Sequence, residues 1–457
     1  MVKSLKLSLI FALLSLQLIY FFHMLQSAQA ADFTVTTTAD SGAGSLRAAI
    51  EAANLTPAAD TITFASGLAG QTISLSSGEL LINSALTIDA GTLTSPPRLS
   101  GNNSSRVFFI DGGAVVTLTH LIIADGATAT GSGSCFTLCG GGIYVEFGAQ
   151  LSLIESIITD NFANSGGGLF NSGGTLLIQD SQISNNQSAF DGGGLRSGGE
   201  AIIRNSRILS NTSQGVGGGG LYLEAVQDLQ IISSTIAYNT TAGGGGALLF
   251  GPFFEKGLIQ NSTLAYNTAD NGGGAIVFNA EMFQTGSLQI SNSTLSGNQA
   301  PSNGAALVAS ATFTSSLVVT ITNSTLSGNS GGIFAASDAS SSLTTTLRNT
   351  LLANSTGANC VNVSGDSSNL TDDNSCLGFS QGEARLTTLA DNGGPTLTHL
   401  PLPGSAAMGA GNPTVCQAAP INGLDQRGEA RDSAACDIGS TEVEDQRPLY
   451  LPLVLKN

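Results

Sequence analysis

Three short apolar runs with period-two character recur down most of the chain, separated by polar corners and blocks of glycine. The frame is clearest in NSTLSGN, which occurs at 292–298 and again at 323–329. Aligned on its first Asn, it widens to L-x-I-x-N-S-x-L-x-x-N. The register position is held by Glu155, Asp180, Asn205, Ser233, Asn261, Asn292, Asn323 and Asn349, with His120 and Ala90 in weaker copies. Two residues before it stands an Ile or Leu, and three after it another aliphatic residue, from Ile158 to Leu352. Six after it come Asn161, Asn186, Asn211, Asn239, Asn267, Asn298 and Asn329, broken only by Ser355.

Alternation over a few residues predicts strands, and the odd step of three across the register position demands a bend there. No run has the 3.6-residue period that a helical solenoid would need. One unit per coil, stacked at strand spacing, predicts an all-β, single-stranded parallel β-helix of about ten coils and roughly 50 Å. Gly and Asn suit corners that need positive φ, and a stacked Asn column can pass amide hydrogen bonds from coil to coil. Ahead of the coils, Gly44–Asn54 predicts a short helix with Ser45 as N-cap and Leu46, Ile50 and Ala53 on one face, a lid on an otherwise open edge.

The expected organisation is a secretory signal over 1–30, an N-terminal cap with first strands over 31–85, coils over 86–355, a C-terminal cap over 356–445 and a tail over 446–457. The signal rests on Lys3 and Lys6, the apolar stretch 7–22 and the small-x-small ending Ala28-Gln29-Ala30. Without those two lysines the net charge moves from −17 to −19, which disfavours nucleic acid as a partner. No later segment is apolar for long enough to span a bilayer. In an exported chain the even set Cys135, Cys139, Cys360, Cys376, Cys416 and Cys436 reads as disulfides between neighbours, 135 with 139, 360 with 376 and 416 with 436. The competing zinc site lacks CxxC spacing and has only His120 and His399 as imidazole donors after the leader.

Family resemblance adds to this reading. The GGGI and GGGL blocks with NSTLxxN look like the right-handed β-helix repeats of polymorphic outer-membrane proteins and other pectin-lyase-like surface proteins. GSLRAAIEAAN is similar to the N-terminal element of proteins with the CSLREA-type motif, with Gly44 where that motif has cysteine. Residues 391–411 and 424–439 resemble the choice-of-anchor Q type of C-terminal region. The resemblance implies a right-handed helix in a secreted or surface-displayed bacterial protein, without implying a reaction.

Acidic-polysaccharide lyases need a base and a cation to neutralise the carboxylate. Arg196, Arg204 and Arg207 share one coil but have no acid trio at register, and Asp372-Asp373 reads as a turn. His120 reads as a corner residue and His399 receives no role. Asp160, Asp191 and Asp270 show no repeated spacing that would supply the six or more oxygens calcium wants, so no cofactor is expected beyond a minor external Ca²⁺. The sharper expectation is an exposed row, the second residue after each glycine block: Tyr144, Phe170, Arg196, Tyr222, Leu248, Ile276 and Phe334. Such a row would bind a glycan or a surface protein. The expected function is therefore a non-enzymatic, adhesin-like β-helix module, with a polysaccharide lyase or hydrolase as the alternative.

Overall fold

The computed structural model describes residues 30–128, 135–281, 283–301 and 304–443. The expected signal over 1–30, apart from Ala30, and the expected tail over 446–457 lie outside them. The chain is a parallel β-solenoid with three long sheets running its length, one strand per coil in each. In chain order around a coil they are sheet 1, of 12 strands from Asp32–Val35 to Ser342–Arg348, sheet 2, of 13 strands from Thr72–Ser74 to Ser380–Gln381, and sheet 3, of 11 strands from Leu80–Ile82 to Cys360–Val361. A short sheet of five strands, from Phe162–Ser165 to Thr268–Ala269, fills the corner between sheets 2 and 3 in the middle coils.

The register is that of the sequence frame. Ile203, Ile231, Ile259 and Ile290 pair in successive strands of sheet 1, and Ile208, Ile236, Leu264 and Leu295 in sheet 2. All eight are fully buried, so aliphatic columns fill the bore. Each such side chain contributes about 1.5–3 kcal/mol on burial. The bend between the two columns is a left-handed residue at every register position from His120 (φ 57°) to Asn349 (φ 48°). A second left-handed residue closes sheet 2, just before the Asn column and not within it; in successive coils it is Asp160, Asn185, Ser210, Tyr238 and Tyr266. The Asn column itself points inward, as in Asn211, whose Nδ2 donates to Ile183 O at 3.0 Å and to Asn239 Oδ1 at 3.0 Å.

In the glycine blocks the backbone of the next coil leaves no room for a Cβ. A Cβ on Gly193 would stand 2.5 Å from Gly219 O, and one on Gly219 2.6 Å from Gly246 O. Side chains are excluded there by the neighbouring backbone as much as by φ.

Helix α1, Leu46–Ala53, caps the first coil with Leu46, Ala49, Ile50 and Ala53 buried and the Ser45 hydroxyl accepting from Ala48 N. Arg47 pins it, donating to Asp40 at 2.8 Å and to the carbonyls of Gly78 and Glu79. Burial alone would raise the Asp40 pKa, but hydrogen bonds from Arg47, Ser77 and Ser76 bring it down to about 2.

Coiling continues past residue 355, through Leu370–Thr371 and Ser380–Gln381 in sheet 2. The chain then reverses, and residues from about 384 to 443 lie along the outer face of sheet 2. Thr263 Oγ1 donates to Leu397 O at 2.6 Å, Thr294 Oγ1 to Gln426 Oε1 at 2.7 Å, and Ser440 N to Thr325 Oγ1 at 2.9 Å. The C-terminal module is thus a roof over one flank of the rod. Three disulfides join Cys135 to Cys139, Cys360 to Cys376 and Cys416 to Cys436. No helix among the described residues is long and apolar enough to cross a membrane.

Candidate functional site

The outward row of sheet 3 is a column of stacked side chains. Phe109, Tyr144 and Phe170 are in pairing register and stack with centroids 5.1 and 5.3 Å apart. Arg196 continues the column, its guanidinium carbon 5.2 Å from the ring centres of Phe170 and of Tyr222. Arg106 adds a second cation beside it, 5.4 Å from Phe109 and 5.0 Å from Tyr144.

Two expectations about this row need correction. Tyr144 and Phe170 are 5% and 7% exposed, not open to solvent, because they form a buried cluster with Phe109 and Cys139 beside the short helix α2, Cys135–Leu138. The Cys135–Cys139 bridge thus braces the local cover. Leu248 and Ile276 point into the bore and are fully buried. Ala247 occupies the slot that Gly220 holds one coil earlier, so Tyr222 pairs with Leu249, and Leu249 with Val277. Counting from the end of the glycine block is one residue out in those two coils. Phe334 does lie in the row, paired with Val308.

At the uncovered end the row carries charge. Arg196 Nη1 lies 3.3 Å from Asp191 Oδ2, and Nη2 donates to Glu224. Burial alone would lower the Arg196 pKa, but the two carboxylates raise it above the ordinary guanidinium value. Burial raises the Asp191 pKa against the pull of Arg196. Tyr222 is pushed up to about 12 by burial and by the nearby Glu224 and Asp191. Nη1 and Nη2 of Arg196 therefore both have carboxylate partners, and two rings lie against the guanidinium, while 23% of the side chain stays exposed. The sequence frame missed this grouping, because Asp191 precedes the glycine block and Glu224 belongs to the next coil, 28 residues from Arg196.

The other sequence candidates scatter. Arg204 and Arg207 are exposed on sheets 1 and 2, away from Arg196 on sheet 3. His120 is a left-handed corner residue. His399 is buried between the C-terminal module and sheet 2, with Nδ1 2.7 Å from Thr387 O and Nε2 2.9 Å from Ser296 Oγ. Burial lowers its pKa, and a neutral ring with hydrogen on Nδ1 satisfies both partners. Asp372 and Asp373 cap a turn by accepting from Asn354 N, Asn359 and Ser375. Asp160 sits 3.7 Å from Arg98, Asp191 on Arg196 and Asp270 at an exposed corner, and no group of three metal-ligating side chains occurs among the described residues.

Residues 107–316 match the family model described as a right handed beta helix region. With the all-parallel topology, that match makes the fold a right-handed parallel β-helix. Comparison with curated proteins returns no match.

Proposed function

We propose that the chain is an exported, non-catalytic β-helix rod that works outside the cell or on its surface as an adhesin-like binding module. The observation that supports this most is the state of Arg196. A lyase or hydrolase needs a cation or acid free to meet substrate, and here carboxylates engage both terminal nitrogens of the guanidinium while two aromatic rings lie against it. Three disulfides suit an oxidising compartment. The leader-like residues 1–30 and the likeness to polymorphic outer-membrane and choice-of-anchor proteins point the same way.

A second reading draws on the same residues. Asp191, with its raised pKa, and Glu224 straddle Arg196, and two carboxylates of unlike environment are what glycosidic acid–base chemistry uses. Incubating the purified chain with a panel of plant, fungal and bacterial polysaccharides decides between the readings. The expected result is retention of the chain on one or more of these surfaces or on a host matrix protein, with no new reducing ends. Release of oligosaccharides that Asp191→Asn abolishes would establish the enzyme instead. Cell fractionation of the source organism tests the location.

A further inference from the structure

The left-handed residue that closes sheet 2 is Asp, Asn, Ser or Gly in most coils: Asp160, Asn185, Ser210, Gly297, Gly328 and Asn354. These tolerate positive φ, whereas bulky side chains resist it. Tyr238 (φ 59°) and Tyr266 (φ 56°) break the column. Burial does not offset the steric penalty, since the two residues are 57% and 40% exposed. Strained, solvent-facing aromatics that the fold does not require are a signal of function. Their rings stack, with centroids 5.2 Å apart and planes 17° from parallel. The Cδ1–Cε1 edge of Tyr266 lies beside Gly297, where a Cβ would come within 2.6 Å of those atoms. Tyr238 stacks on Tyr266 alone among the described aromatic residues and is otherwise open to solvent.

Both tyrosines line a groove of about 330 Å³, formed where the edge of the C-terminal module meets the uncovered part of sheet 2. Arg207, Thr235, Asp391 and Pro395 line it beside the two tyrosines. The Arg207 guanidinium makes no hydrogen bond or ion pair among the described residues, and Asp391 Oδ1 accepts from Gly393 N. Clefts between structural units, with an apolar floor and a few convergent polar groups, are where ligands bind.

We propose that this groove is a binding site for a neutral oligosaccharide, a class that goes beyond the binding role proposed above and rests on it. A pyranose offers an apolar C–H face to the Tyr238 ring, and its rim hydroxyls both donate and accept, matching Asp391 and Arg207 within one groove. A polyanion fits less well, because Asp391 shares the groove and the chain carries −17 overall.

The test titrates hexasaccharides of glucose, xylose, mannose and N-acetylglucosamine into the wild type, a Tyr238→Asn/Tyr266→Asn variant and Arg207→Gln. The chain has no tryptophan, so intrinsic fluorescence reports tyrosines directly, with calorimetry in parallel. Asn is chosen because Asn185 and Asn354 hold the same column, so the double variant should melt no lower than the wild type. The expected result is saturable binding of at least one hexasaccharide by the wild type, weakened at least about tenfold in the double variant, as for loss of an aromatic anchor, and also weakened in Arg207→Gln. Absence of binding to the whole panel overturns the saccharide assignment. Equal affinity in wild type and double variant overturns the groove and leaves a binding role seated elsewhere. Mass analysis of the recovered sugars separates the two ideas, because shortened chains overturn the non-catalytic reading together with the site that rests on it.

Discussion

Asn239 has no exposed surface and uses its whole amide. Its Nδ2 donates to Ile208 O at 2.9 Å and Asn267 Oδ1 at 3.0 Å, while its Oδ1 accepts from the backbone N and Nδ2 of Asn211. Truncating it strands groups in the coils on both sides, away from water. A buried polar group left unpaired costs about 1–3 kcal/mol, so with several stranded, Asn239→Ala should destabilise the rod by about 2–4 kcal/mol in chemical denaturation. Asn239→Asp should do no better, since a carboxylate cannot donate to Ile208 O or Asn267 Oδ1. A loss below about 1 kcal/mol would mean that water replaces the rung. The ladder was legible because its residues are identical at a fixed offset. Arg196 with Asp191 and Glu224 was not, because irregular connections between coils hide which side chains meet. Tyr238 and Tyr266 went unremarked because they occupy a column whose left-handed geometry shows only in the backbone.

At the scale of elements, sheet 2 has two kinds of outer face. Two residues past the register position stand Ile157, Gln182, Arg207 and Thr235, partly or fully exposed, and then Thr263, Thr294 and Thr325, all buried. The change marks where the C-terminal module begins to cover the rod. It also explains why NSTLSGN is repeated so closely, since Asn292 Nδ2 donates to Leu424 O and Asn323 Nδ2 to Cys416 Sγ under the same roof. The coil pattern needs only polar, small and aliphatic residues at those offsets; docking narrows the choice. Gln426 ties the module down, accepting from Thr294 and donating to the hydroxyls of Thr263 and Thr396 while almost fully buried. Gln426→Ala should loosen the module by about 1–3 kcal/mol and speed proteolysis within 384–443, leaving the coils protected. Equal protection of wild type and variant would show that other contacts fix the roof. The docking was invisible in the sequence because Gln426 lies outside the repeat, 132 residues from its partner Thr294 within it.

Over the whole molecule, strand pairing among the described residues joins each coil to its neighbours alone; side-chain contacts reach further at Arg98–Asp160, two coils apart, and on the flank under the C-terminal module. Stability should then be close to a sum of coil and interface terms, and a coil outside the roof should be removable. Residues 180–204 make such a coil, since Asn186 and Asn211 lie 25 residues apart and Gln179 pairs with Arg204. Deletion joins Gln179 to Asn205 in register and places Asn161 against Asn211. It also removes Asp191 and Arg196, bringing Phe170 to Tyr222, two rings that can stack as Phe109 and Tyr144 do. The shortened rod should keep its circular dichroism per residue and a cooperative unfolding transition, whereas removing only 180–191 breaks every column at once and should abolish both. If the full-coil deletion also loses its transition, stability depends on contacts beyond adjacent coils, and the Arg196 grouping is the first place to look, because it alone would be lost with the Asn and aliphatic columns intact.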